Sequence, residues 1–436
     1  MISRPLITDW YSRNRARTQA LFDLVTDEAY YSRPIDLRHP IVFYEGHLPA
    51  FSFNTLVKRA LGGASIDPGL ERLFARGIDP SDEQAGRDNR LTWPGRDEVR
   101  HFAAEADRRV RAALMSGDLE RPGDPLLHRA EAAFAILEHE AMHQETLLYM
   151  WHRLPLDQKR RPPGYHPRVD GEVPAQAWID IPAGCATLGA DEATLQFGWD
   201  NERPARTADV AGFAVQRHDV TNAAYLEFVD AGGYERERWW TPEDWAWVQT
   251  AGLRSPIFWE RRDGAWRWRG MFDLIPLPWS WPVYVSHAEA SAYATWRGLR
   301  LPTEAEYQRA AYGSPEGSER RYPWGSASPS SSLGVFDFTS WDPEPAGSHP
   351  AGRSAWGVDD LVGNGWEWTS TVFAPFPGFR PLPSYPEYSA DFFDGEHVVM
   401  KGASPATARE LIRPTFRNWF RPRYPYVYAT FRCARP

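Results

Sequence analysis

The run LEHEAMHQETLLYMW, residues 137–151, sets His139 and His143 four residues apart, with Glu145 just beyond. Residues at i and i+4 share one face of a helix. Two imidazoles stacked in that way can chelate one metal ion, because a ring nitrogen from each reaches the same point. Two motif readings compete for these letters. His139 to His143 matches H-E-x-x-H, in which two His bind zinc and Glu140 is the general base of a hydrolase. The same run reads H-x-x-x-H-x-E, half of a three-histidine iron site. A third reading leaves both His hydrogen-bonded inside an ordinary helix. Spacing alone leaves all three open.

The elements that must hold these residues are legible as helices. Thr8 or Asp9 can cap a helix through Trp10, Tyr11, Ala20, Leu21 and Leu24. A second is expected from Leu48-Pro49, with Pro in its first turn, to the stop at Gly62-Gly63. Val99, Phe102, Ala103, Ala106, Val110 and Ala113 recur at helical spacing and predict a third over Arg96 to Met115. The fourth opens at Asp124-Pro125, carries the His pair and ends at Pro155. Four amphipathic helices suggest a bundle over residues 1–156, and bundle cores are common places for metal sites. A basic, Pro-rich stretch over 157–176 reads as a linker. From 177 to 436 short apolar runs alternate with Gly, Pro, Trp and Asp clusters, with helical pieces at Asn222 to Ala231 and His287 to Gly298. The class is therefore α+β, with much irregular structure in the second part.

Composition narrows the function. The chain has 436 residues, enough for two or three domains. Its net charge of -9 gives no nucleic-acid footprint. No apolar run approaches the ~20 residues that span a bilayer. The first residues lack an apolar core, so no signal peptide is expected. Cys185 and Cys433 are the only cysteines, which excludes a disulfide framework and fits a reducing cytoplasm. Most of the 21 Trp lie beyond residue 177; they read chiefly as core mass, and some as walls for a cationic ligand.

Four segments carry a resemblance. VTNAAYLEFV (220–229), WRGLRLPTEAEY (296–307), LVGNGWEWTS (361–370) and the tail from Arg413 through Asn418-Trp419-Phe420 to Cys433 resemble the signatures of formylglycine-generating-enzyme-like domains, which have a C-type-lectin-like core. A DinB-like bundle ahead of such a domain resembles the layout of the hercynine-oxidising sulfoxide synthases of ergothioneine biosynthesis. That resemblance implies a nonheme Fe(II) held by three His: His139, His143 and an upstream His. His47 is the expected third ligand, because Phe51 and Phe53 follow it as the family's aromatic-rich helix requires; His39 is its competitor. Under the zinc hydrolase alternative a third protein ligand is lacking, since Thr146 and Tyr149 stand where a metzincin has Gly and His. A formylglycine-generating enzyme uses a Cys pair, and only Cys433 lies in the matching tail; it reads as a buried thiol.

The resemblance also implies the reaction. Hercynine, trimethylated histidine, is coupled through imidazole C2 to a sulfur or selenium donor with O2 as oxidant. A Tyr within reach of the metal supplies a hydrogen bond or proton; Tyr388 matches that role, with Tyr385 as rival. Asn418 and Trp419 match the hercynine pocket, where a quaternary ammonium has to be held by aromatic faces or carboxylates. Arg87 and Arg90 keep the Arg-x-x-Arg spacing that holds the carboxylates of γ-glutamylcysteine. Two positions depart from the family's pattern. Phe420 stands where an Asp binds the donor's ammonium, and Met142 stands where a Gln contacts hercynine. An amine facing Phe420 would lose its partner. The expected donor is therefore a selenosugar, giving selenoneine; γ-glutamylcysteine or cysteine is the alternative, and Arg87 and Arg90 favour it.

Overall fold

A computed structural model describes residues 3–75 and 93–436. The chain divides into two compact units. The described residues up to Pro163, together with the short segment Leu382–Pro386, form the first, and Gly164–Pro381 with Glu387–Pro436 form the second.

The first unit is helical. α1 (Arg4–Asp23) starts before the expected Thr8 or Asp9 cap, because Pro5 occupies the first turn directly after Ser3. α2 (Ile41–Ser52) likewise starts earlier than expected, after Pro40, so Pro49 lies inside the helix and His47 in its middle. Pro49 has no N–H for the helix ladder. The chain then continues as a π-helical stretch, Phe53–Ala60, and stops at Gly62, whose φ of 70° suits glycine. α3 (Pro68–Leu73) is capped by the Asp67 carboxylate, which accepts from Gly69 and Leu70 N–H. α4 (Arg96–Ser116) matches its expected span to within a residue.

α5 (Glu131–Arg153) begins later than Asp124-Pro125. Arg129 and Ala130 take positive φ, 53° and 58°, and break the helix there. Asp124 caps a separate turn instead, accepting from Leu126 N–H at 3.0 Å. Ile7, Tyr11, Leu56, Val110, Leu114, Ile136 and Leu137 meet in the core that α1, the π-helical stretch, α4 and α5 enclose.

The second unit is built from short strands and loops. β4 (Phe213–Gln216) is flanked by β1 (Trp178–Ile181) and β12 (Ala434–Arg435), both antiparallel. β2 (Gly184–Leu188) pairs with β3 (Arg206–Val210), and β5, β6 and β7 (Trp259–Arg262, Ala265–Arg269, Leu274–Pro276) form a meander. The largest sheet has the order β10-β9-β8-β11, from Asn418–Phe420, Val398–Ala403, Gly365–Val372 and Ala429–Thr430.

Helices α6 (Asn222–Asp230) and α8 (His287–Trp296) fall where expected. α7 (Pro242–Thr250) and α9 (Glu304–Tyr312) were not expected, although Thr241 and Thr303 cap them. A last short helix, α10, covers Glu387–Ala390. Trp199, Trp268, Trp281, Trp366 and Trp368 are fully buried, so these five are core mass. Among the described residues no helix is long and apolar enough to cross a membrane.

Candidate metal centre

α2 carries Phe43, His47 and Phe51 at successive i, i+4 positions on one face. Phe43 stacks on His47, with ring centroids 4.9 Å apart and planes 16° apart. The Nδ1–H of His47 donates to the Phe74 carbonyl at 2.8 Å, which leaves the lone pair on Nε2. From α5, His139 and His143 face the same point. The ring centroids of the three His lie 4.4 to 5.2 Å apart. One ligand atom from each lies within 4.8 Å of the others. Phe51 stacks on His139 at 3.5 Å and 11°, so α2 supplies both one ligand and a support for a second.

Electrostatics favour a cation here. Burial pushes His47 down to about 4, and holds His139 and His143 well below the ordinary histidine value, with the neighbouring His adding to the effect. Neutral imidazoles are the form that ligates a metal. His47 Nε2, both ring nitrogens of His139 and Nδ1 of His143 are buried without a hydrogen-bond partner among the described residues. Orphaned buried nitrogens are costly unless something fills the gap. Three converging neutral imidazoles fit a divalent iron, and also zinc, copper or nickel, so the donor set selects the class of ion rather than the element.

Glu140 does not face this point. Its Oε1 accepts from Arg15 at 2.8 Å and Thr18 at 2.7 Å, both on α1. Gln144 joins the same seam through Asn14 O and Thr18 Oγ1. Glu140 and Gln144 tie α5 to α1 while the His pair occupies another face. Glu145 is buried and Met142 half-buried, on the same helix.

A segment from far along the chain completes the first unit's site. Arg59, on the π-helical stretch, donates to the carbonyls of Pro383 and Ser384 at 3.0 Å each, and Ser384 N–H donates to Glu131 at 2.9 Å. These contacts hold Tyr385 with its ring 5.3 Å from Phe51 and 6.1 Å from His139. Tyr388 belongs to the second unit, where it stacks on Trp199 at 4.0 Å and meets the edge of Trp419 at 5.3 Å.

Asn418, Trp419 and Phe420 form β10 in the second unit. Trp419 stacks on Phe373 at 4.2 Å and 6°, and Asn418 Oδ1 accepts from Trp419 N–H. Phe420 stacks on Tyr424 at 5.1 Å. Beneath the strand Arg417 is buried against Glu304. Arg87 and Arg90 lie outside the described residues. His39 lies against Phe43, with ring centroids 4.2 Å apart and planes tilted by 34°, and is not among the three converging His. Cys433 is buried and its thiol is pushed up to about 12 by burial, whereas Cys185 is exposed. The sequence reading missed Phe43, Arg59, Glu131 and the Phe74 carbonyl. Of these only Phe43 had a readable signal, its spacing from His47.

The Sulfatase-modifying factor enzyme 1-like domain matches residues 167–436, and the DinB superfamily matches residues 11–147. The chain is 40% identical over 314 residues to the hercynine oxygenase of Mycolicibacterium smegmatis, covering 69% of this chain and 70% of the relative. It is 35% identical over 439 residues to the hercynine oxygenase of Mycolicibacterium thermoresistibile, covering 96% and 92%. It is 28% identical to ergothioneine biosynthesis protein 1 of Neurospora crassa, covering 99% of this chain and 58% of that protein.

Proposed function

Because the chain belongs to the hercynine oxygenase family, with a DinB-type bundle followed by a sulfatase-modifying-factor-like domain, we propose that it is a nonheme Fe(II), O2-dependent enzyme that joins a sulfur or selenium donor to imidazole C2 of hercynine. The observation that carries the metal is the convergence of His47, His139 and His143 with buried nitrogens that have no partner among the described residues. Bound there, Fe(II) would supply redox chemistry and open positions at which O2 and the donor atom are held together.

The remaining roles belong to the chain's own residues. The Phe74 carbonyl and the rings of Phe43 and Phe51 fix the imidazole planes. Tyr385 holds a phenolic proton beside His139, and we assign it the role of hydrogen-bond or proton donor. Tyr388 is the second reading of that role. Asn418 and Trp419 are assigned to hercynine, whose trimethylammonium group has no N–H and calls for an aromatic face.

For the donor, Phe420 packed on Tyr424, in place of a carboxylate, supports a neutral selenosugar over a zwitterionic amino-acid thiol. Met142, in place of an amide, supports an imidazole pocket with one polar contact fewer. Arg87 and Arg90, and the naming of relatives for ergothioneine biosynthesis, support the second reading, with γ-glutamylcysteine or cysteine as donor. The test is anaerobic Fe(II) reconstitution, then O2, hercynine and each donor in turn, with products identified by mass spectrometry. Specificity is read as a ratio of kcat/KM values. The selenosugar is expected to win that ratio. If γ-glutamylcysteine wins and Arg87→Ala abolishes its advantage, the second reading replaces the first. If no donor couples to hercynine, the proposed activity is wrong.

A further inference from the structure

His47 can offer Nε2 to a metal only while Nδ1 keeps its proton, and the group that holds that proton is a backbone carbonyl, Phe74 O, 27 residues away. A carbonyl cannot choose its position, so whatever fixes Phe74 also fixes the tautomer and plane of His47. Two features fix it.

The first is Glu71, buried at 2% exposure. Its Oε1 accepts from Ser65 Oγ at 2.7 Å, Ile66 N–H at 2.6 Å and Asp67 N–H at 3.1 Å; its Oε2 accepts from Lys58 Nζ at 2.5 Å. Lys58 lies on the π-helical continuation of α2, so Glu71 fastens α3 to the element that carries His47. α3 then delivers Phe74, whose N–H donates to Leu70 O at 2.9 Å. The second is Gly46. The Phe74 ring lies flat on it, and a Cβ at residue 46 would sit 2.5 Å from three ring atoms. Only glycine lets that ring rest beside His47.

We propose that Glu71 and Gly46 are positioning residues of the metal centre, acting through the Phe74 carbonyl on His47. This rests on the metal reading above. A carboxylate that merely stabilised a surface turn would change thermal stability and leave metal affinity alone; a positioning residue changes the affinity of the folded protein.

The experiment measures the anaerobic Fe(II) dissociation constant of the full-length protein, and the visible absorption bands of its Co(II) form, in wild type, Glu71→Ala, Glu71→Gln and Gly46→Ala. Glu71→Ala is expected to weaken Fe(II) binding by about 10–100-fold, the usual range for a partner that orients a ligand, and to shift the Co(II) bands. Glu71→Gln keeps an oxygen acceptor for Ser65, Ile66 and Asp67 and is expected to restore most of the affinity. Gly46→Ala, which displaces the Phe74 ring, is expected to reproduce the loss. If Glu71→Ala does not fold, Gly46→Ala decides. Wild-type affinity and wild-type Co(II) bands in the folded variants would overturn the proposal while leaving the metal reading intact. A wild-type chain that takes up no Fe(II) would overturn both.

Discussion

Two buried polar clusters in this molecule solve the same problem in opposite ways. In the second unit Arg432 is 1% exposed, and each of its guanidinium nitrogens donates: Nε and Nη2 to Glu367, Nη2 also to Asp219 and Asp359 O, Nη1 to the carbonyls of Gln216 and Arg217. In the first unit the buried His47 and His139 and the half-buried His143 leave four ring nitrogens without a partner among the described residues. A buried ion that is fully hydrogen-bonded is part of the architecture. Asp219 Oδ2, beside Arg432, also lacks a partner among the described residues, so what sets the His cluster apart is convergence: one ligand atom from each of three imidazoles lies within 4.8 Å of the others. The difference separates a residue that pins strands together from residues whose donor atoms fit a metal ion.

The sharpest way to break the comparison is to remove one member from each cluster. His143→Ala is expected to cost activity by on the order of 10³-fold or more, since residues that act as a unit fail together. The folded apoprotein should survive, because no protein hydrogen bond of Nδ1 is lost. Steady-state turnover of hercynine and the circular dichroism spectrum check both halves. Glu367→Ala should do the reverse. It strips a buried Arg of a two-pronged partner and is expected to cost about 3–5 kcal/mol, seen as a lower unfolding midpoint, with Fe(II) affinity of the folded protein unchanged.

Tyr385 and Tyr388 sharpen the picture further. Tyr385→Phe is expected to slow turnover by about 10²-fold or more, in the range of a lost general acid, with Fe(II) affinity retained; Tyr388→Phe should do much less. Single-turnover kinetics with product analysis compare the two, and the opposite order would return the role to Tyr388. Arg59→Ala loosens the segment that carries Tyr385 and is expected to cost about tenfold in kcat, as a small misplacement near the reacting groups does, again with metal retained.

The smallest effect belongs to Glu140. Glu140→Gln should leave metal content and turnover near wild type and lower stability by about 1–3 kcal/mol, because Arg15 loses the closer of its two charged partners, Glu140 and Asp107. If that variant instead loses all activity while the protein holds a full complement of zinc, the hydrolase reading of H-E-x-x-H returns.

The sequence disclosed whatever is encoded locally. The His pair on α5 and the span of α4 depend on periodicity within one element, and they were readable. α9 is legible too, through the Thr303 and Glu306 capping box, which lies inside a family signature. The start of α5 was misplaced because Asp124-Pro125 is a good cap that serves a turn instead. Phe74 could not have been found: a backbone carbonyl has no letter, and its partner lies 27 residues away. Tyr385 and Tyr388 stand three residues apart in the chain yet belong to different units, a division set by Arg59 and Glu131 grasping the backbone of residues 383–384. No periodicity encodes such a grasp.

The central claim is that the unpartnered His nitrogens are a metal site. Anaerobic titration of the metal-free, full-length protein with Fe(II), followed by metal analysis after gel filtration, tests it directly. One Fe(II) per chain in wild type, and none retained in His139→Ala, is the predicted result. Failure of the wild type to bind, or equal retention by His139→Ala, would contradict it.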